Sequence, residues 1–330
     1  MIINNLYVKI NLIFYILFIL IFIYIYINGN KNKEEQNKYS ILSNKKDYKN
    51  NKFLIIQRRS KSCGLFSYFM VSLGCIHKYL IKGYIPIIDI KSFPNSINGF
   101  NTSKSNYWEL YFEQPFGYTL EEVLKYAKNI TYKICYDCEP RPDEKSMPFN
   151  EVRKNFWHNF ASKYLPIKKE ILNLSNQLFY KLFKNSKNIL GVLTRGTDYI
   201  TRKPKDHPIP PNISTLVQDV KKMDEKFFYD YIFFSTEDDD IRENFTKTFS
   251  KKVKQIKFET KIRYNYLEKN YLGYNENIKG NVEFNKIYLL NIIILSKCLD
   301  IITARCSGAA GVFILTNGFR NMHIYNLGMY

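Results

Sequence analysis

Three short runs in the second half of the chain carry residue types suited to holding a diphosphate. The first is RGTDY (195–199), directly after the apolar run NILGVLT (188–194). The Arg195 guanidinium could grip phosphate oxygens through two parallel N–H donors, a geometry lysine cannot copy. Pairing with Asp198 at the surface is the competing reading. The second run, EDDD (237–240), follows YDYIFFST (229–236). Acidic residues in a first helical turn are favoured by the helix dipole alone; alternatively, Asp238 and Asp240 could hold a divalent cation on a diphosphate. The third run, RCSGAAG (305–311), follows DIITA (300–304). Its small residues, the Ser307 hydroxyl and the free N–H groups of a helix start suit an anion. The same small residues would also let a helix pack closely. Together the three runs suggest a nucleotide-sugar transferase, whose leaving nucleoside diphosphate builds charge that a cation or helix end can stabilise.

The elements that must position these runs alternate in type. Strand patterns at 188–194, 229–236, 253–258, 300–304 and 321–327 are separated by helical patterns at 214–226, from Ile241 onward, at 281–298 and after RCSGAAG. Such alternation predicts an open parallel sheet, which binds ligands outside the carboxyl ends of its strands. The first half offers FLIIQRRS (53–60), a turn in which Gly64 opens an amphipathic segment to Lys82, and YIPIIDI (84–90), a βαβ unit. A helical stretch at 149–184 is interrupted by Pro166. Residues 91–150 read as irregular, and NYWELYFEQPFGY (106–118) as an aromatic, surface-prone stretch, with Trp108 and Phe112 open to a core role.

Ile10 to Ile27 is an uncharged apolar run with one polar residue, Asn11. As a helix it would rise about 27 Å, close to the thickness of a bilayer's hydrocarbon core. It predicts an N-terminal membrane anchor after a short tail (1–9). The Asn- and Lys-rich residues 28–51 read as a flexible stem. Lys31, Lys33, Lys38, Lys45 and Lys46 follow the span and Lys9 alone precedes it; the positive-inside rule would put the large domain in the cytoplasm, but general lysine enrichment blunts it and leaves both orientations open. The remaining chain divides into an N-terminal α/β domain (52–184) and a C-terminal one (185–330).

The net charge of +19 rests on 49 Lys+Arg against 30 Asp+Glu, of which only ten are arginine. That lysine is spread through Asn- and Ile-rich sequence, so the charge gives no reason to expect nucleic acid. Six cysteines include one CxxC, Cys135 to Cys138, without a second pair. A zinc site is therefore a poor reading, and a local disulfide or two thiols fit better.

LTRGTDYITRKPKDHPI (193–209), YIFFSTEDDDIRENF and NKIYLLNIIILSKCLDIITARCSGAAG resemble, in order and spacing, three blocks of the α-1,6-fucosyltransferase and O-fucosyltransferase superfamily. CGLFSYF (63–69) resembles its first Gly-bearing turn, and WELYFEQP (108–115) and KPKDHP (203–208) resemble segments of bacterial-type sugar transferases. The resemblance implies a GT-B-like pair of Rossmann-type domains with parallel sheets. It implies GDP-fucose as donor substrate, held mainly by the C-terminal domain, with no cofactor or metal, and a glycan or glycoprotein acceptor. It also implies a lumen-facing, Golgi or ER orientation, against the lysine count. The matching positions put Arg195 on the diphosphate and Asp198 in a structural or donor-site role. His207 would shape the donor site, with Thr236 and Asp238 near the nucleotide, Ser307 near phosphate and Gly64 at the first turn. Two positions depart from the pattern. Gly196 replaces the second arginine of an Arg-Arg pair, and Lys203 replaces the acidic residue four before the histidine. Asp206 is then the nearest carboxylate to serve as base. A catalytically inactive, membrane-tethered module that binds a glycan or nucleotide is the alternative.

Overall fold

β1 (Lys52–Gln57) is apolar on both faces, and such a strand needs cover on both. It lies at the centre of a three-stranded parallel sheet in the order β2-β1-β3, with β2 at Tyr84–Asp89 and β3 at Asn129–Ile134. A computed structural model describes residues 46–59, 64–98, 105–135, 141–142, 150–256 and 281–330. Tyr48–Tyr330 forms one compact unit that contains this sheet and a second. Among the described residues no helix is long and apolar enough to cross a membrane; the apolar run 10–27 lies outside them.

The second sheet is also parallel, with five strands in the order β6-β5-β4-β7-β8. Its strands are β4 (Ile189–Leu193), β5 (Tyr231–Ser235), β6 (Val253–Lys254), β7 (Asp300–Ala304) and β8 (Asn321–Tyr325). Central β4 and β7 are buried at every position. One face is covered by α6 (Ile213–Phe227) and α7 (Asp239–Phe249), through a cluster of Leu216, Val220, Ile232, Phe234, Phe245 and Ile302. Phe234 of β5 stacks on Phe245 of α7 with ring centroids 3.9 Å apart. Full burial of such a side chain contributes roughly 1.5–3 kcal/mol. α4 (Lys169–Phe183) packs on the other face, Phe183 meeting Phe233 and Tyr231, and α8 (Val282–Leu295) lies alongside it.

Two helices link the layers. α1 (Leu65–Leu80) is buried along nearly its whole length and packs on the first sheet. It stops at Gly83, whose positive φ of 77° lets its N–H reach back to the Leu80 carbonyl. α9 (Ser307–Leu315) leaves β7 and packs against both α1 and α3 (Glu151–Tyr164). Here Gly311 is essential for space: a Cβ there would lie 2.3 Å from the Phe66 ring of α1.

The described residues between 91 and 135 prove more ordered than their composition suggests. They contain α2 (Leu120–Tyr126), started by a reciprocal capping box between Thr119 and Glu122, and β3. β3 escaped the sequence pattern because it is an exposed edge strand with no continuous apolar side. The aromatic stretch 106–118 is core: Trp108 and Phe112 are fully buried and stacked, with centroids 4.5 Å apart. Its polar residues finish the free edge of β2. Gln114 accepts the Ile88 N–H and donates to the Ile88 carbonyl, while Asn106 accepts from Ile90 N–H and also donates to Ile88. Glu109 accepts from both amides and from the Leu120 N–H. An edge strand that is buried must have its backbone groups paired, and these side chains do that. Cys135 is paired with Cys75 of α1 rather than within its CxxC; Cys138 lies outside the described residues.

Candidate active site

Strand order brings the three runs together. β5, β4 and β7 are consecutive neighbours running in one direction, so the turns beginning at Thr194, Thr236 and Arg305 lie side by side at one edge of the sheet. β4 connects onward to β5 on one side, while β7 comes in on its other side. The crevice between β4 and β7 is therefore the point where strand order reverses, the usual ligand position in such sheets.

Arg195 lies just past the end of β4, one residue beyond Thr194, whose N–H bonds to the Ser235 carbonyl of β5. Its Nε lies 3.1 Å from Glu237 Oε1, and its guanidinium lies over the Tyr199 ring, 4.6 Å from the centroid. Glu237 also accepts the Gly196 N–H at 3.1 Å. Both side chains of the ion pair are mostly buried, with 20% and 10% of their surface exposed. An arginine held from one side by a carboxylate and from below by a ring keeps one orientation, with its charge fixed at the end of β4.

Gly196 is fixed by space. A Cβ there would lie 2.5 Å from Asp238 Oδ2 and 2.8 Å from Ile241 Cδ1. A second arginine at this position is thus sterically incompatible with the way the β4 and β5 turns meet. Gly196 is followed by the short helix α5 (Thr197–Arg202), which ends at Lys203 in the left-handed conformation. Asp198 lies in α5; its side chain is outside the described residues.

Asp238 is the N-cap of α7. Its Oδ1 accepts from the Asp240 and Ile241 N–H groups, at 3.0 and 3.1 Å. The Thr236 hydroxyl is turned inward and accepts the Asp238 N–H, while Arg242 donates to the Thr236 carbonyl and pairs with Asp239. Both Thr236 and Asp238 are buried. The acidic run thus starts and staples a helix, and among the described residues no three His, Cys, Asp or Glu side chains are grouped to hold a metal ion.

His207 reaches Arg195 through Tyr199: its ring meets Tyr199 edge-on at 5.5 Å, and its Nδ1 lies 3.0 Å from the Lys205 carbonyl. Asp206 is exposed on the same turn with a positive φ of 63°. The turn is pinned to the chain's last residues, Asp206 N–H to the Tyr330 carbonyl and Tyr330 N–H to the His207 carbonyl. Ser307 opens α9 and is half-buried beside Cys306, whose sulfur caps the helix by accepting from Ala309 N–H. Gly64 is exposed at the start of α1, with open space where a side chain would be. It lies two residues before Phe66, which packs on α9.

Three residues that sequence reasoning did not single out complete the site. Glu237 was one acid among four, Tyr199 an aromatic in an aromatic-rich chain, and Tyr288 one position in an apolar helix. Only the strand order reveals that they converge. The Tyr288 phenol is pushed well above its ordinary pKa, by burial first and then by Cys306, Glu237 and Tyr199, with Arg195 acting against them.

A solved structure of NodZ α-1,6-fucosyltransferase with GDP aligns over 81% of this chain and 93% of its own, at 12% identity and a TM-score of 0.49. NodZ from Bradyrhizobium aligns over the same shares at 14% identity and 0.48. POFUT1 in complex with GDP aligns over 85% of this chain and 99% of its own, at 8% identity and 0.45. The likeness is to fucosyltransferases. No protein-family model matches the chain, and no curated protein matches it in sequence. At such distances the likeness assigns no residue a role.

Proposed function

We propose that the protein is a fucosyltransferase-like glycosyltransferase that moves a sugar from a nucleotide donor, GDP-fucose, to a glycan or glycoprotein. The observation that carries this reading is the oriented Arg195, held by Glu237 and Tyr199 at the end of β4, the strand paired with β7 that leads into α9. A cation and a helix N-terminus then face the same crevice, which suits a leaving diphosphate. The block resemblance at 193–209 and around 229–245 and 285–311 supports the sugar class. In this reading 52–184 forms an acceptor-side lobe and 185–330 a GT-B donor-side lobe. Asp206, exposed and beside His207, is the carboxylate placed to take the acceptor proton. No metal or cofactor takes part.

Thermal shift of the full chain tests the donor class: GDP should stabilise it more than UDP or CMP, and Arg195→Ala should remove the effect. Best stabilisation by UDP would overturn the GDP assignment. The inactive binding module stays as a second reading because Lys203, an exposed cation, stands where the resemblance expects an acid. GDP release from GDP-fucose separates the two, since a module binds without turnover.

The run 10–27 serves in this reading as a membrane anchor, with the catalytic part in the lumen. The Cys75–Cys135 pair supports an oxidising compartment. Digestion of residues 52–330 by protease added to intact microsomes would rule that orientation out.

A further inference from the structure

Tyr288 projects from α8 toward the first turn of α9. Its hydroxyl comes so close to Gly308 that a Cβ there would lie 2.6 Å from it. Its ring is held edge-on against Phe66 at 5.7 Å, so the position of the hydroxyl oxygen is set by packing from α1 as well as α8. The hydroxyl makes no hydrogen bond to the described residues and is not one of their buried unpaired polar atoms, so it is open to solvent or a ligand. The groups near enough to act on it electrostatically are Cys306, Arg195, Glu237 and Tyr199, which come from the segments after β7, β4 and β5.

We propose that Tyr288 binds the donor by giving its hydroxyl hydrogen to a phosphate oxygen of the nucleoside diphosphate, opposite Arg195. The inference rests on the nucleotide-sugar reading above and names a residue that the motif resemblance does not assign. Phenylalanine would fill the same space against Phe66, so packing alone gives no reason for an oxygen pressed against Gly308. A tyrosine is protonated throughout the physiological range, and burial pushes this phenol's pKa further up, so it meets phosphate as a neutral donor. It complements Arg195, which supplies charge, with a neutral donor whose oxygen is held in place by packing.

The test compares wild type, Tyr288→Phe and Arg195→Ala in the full chain, measuring GDP affinity, the melting temperature without ligand, and the phosphorus-31 shifts of bound GDP. Tyr288→Phe should keep the unliganded melting temperature, weaken GDP binding on the order of ten-fold, as for loss of one hydrogen bond to a charged group, and move a phosphorus resonance. Unchanged affinity and unchanged phosphorus shifts would overturn the inference alone, provided wild type binds GDP and Arg195→Ala does not. A lower unliganded melting temperature with unmoved phosphorus shifts would make Tyr288 a packing residue and also overturn it. Failure of wild type to bind GDP would remove the underlying reading as well.

Discussion

Glu237 Oε1 lies 3.1 Å from Arg195 Nε, so the carboxylate at the end of β5 aims the arginine at the end of β4. Two strand ends are thereby coupled into one site. If aim matters as well as charge, Glu237→Gln should weaken GDP binding while Arg195 remains present. We expect a loss of roughly ten-fold, and a larger one for Arg195→Ala, because a hydrogen bond from the guanidinium to a phosphate oxygen contributes about 1.5–3 kcal/mol. Arg195→Lys should not restore binding, since an ammonium lacks the guanidinium fork. Isothermal titration with GDP reads all three. Full affinity in Glu237→Gln would show that the pair only neutralises charge.

Gly196 tests how tightly the two turns are pressed together. Gly196→Ala must displace the Asp238 carboxylate or the Ile241 side chain. Overpacking of this kind costs roughly 1–3 kcal/mol, a fall of several degrees in Tm. GDP affinity should fall with it, because Asp238 and Glu237 are adjacent in one turn. An alanine variant as stable as wild type would mean that the turns yield easily.

Much of this arrangement was legible in the sequence, for reasons that also explain what was not. Central strands such as β4 and β7 are apolar on both faces, and the helices between them have caps at Asn212, Asp238 and Asn281. Their order and the three loaded turns could therefore be read directly. Edge elements lack that signal: β3 is mostly exposed, and the 106–118 stretch mixes core aromatics with amides that pair with β2. Contacts between distant segments were not legible either. Nothing local marks Glu237 rather than Asp238 as the partner of Arg195, or Tyr288 as facing Gly308. Those follow from strand order and helix packing.

Asp238 distinguishes a capping role from metal binding. Its Oδ1 is already occupied by two helix N–H groups. Asp238→Ala should cost about 1 kcal/mol of stability through loss of the cap, whereas Asp238→Asn, also a good cap, should keep both stability and GDP binding. Added EDTA should leave GDP binding unchanged. Loss of binding in EDTA together with loss in Asp238→Asn would make the acidic run a cation site.

Asp300 gives the fold an acid-sensitive point. It is fully buried at the start of β7, where it accepts from Tyr229, from Arg320 and from the Asn321 N–H at 2.8 Å. Burial pushes its pKa up, but the bonds from Arg320, Tyr229 and Asn321 outweigh burial and hold it below the ordinary carboxylate value. A carboxyl whose pKa is lower when folded stabilises the native state above its unfolded pKa, about 3.9, and that contribution is lost as pH falls through the folded value. Asp300→Asn removes the titration and leaves an amide that cannot accept from all three donors. The variant should therefore be clearly less stable than wild type in urea at pH 7. The gap should shrink below about pH 4, where the unfolded chain takes up the proton first and native wild type follows at its lower pKa. A gap that stayed constant from pH 7 to pH 3 would show that the carboxyl's ionisation contributes nothing, and that Asp300 holds β7 to β8 by shape and neutral hydrogen bonding.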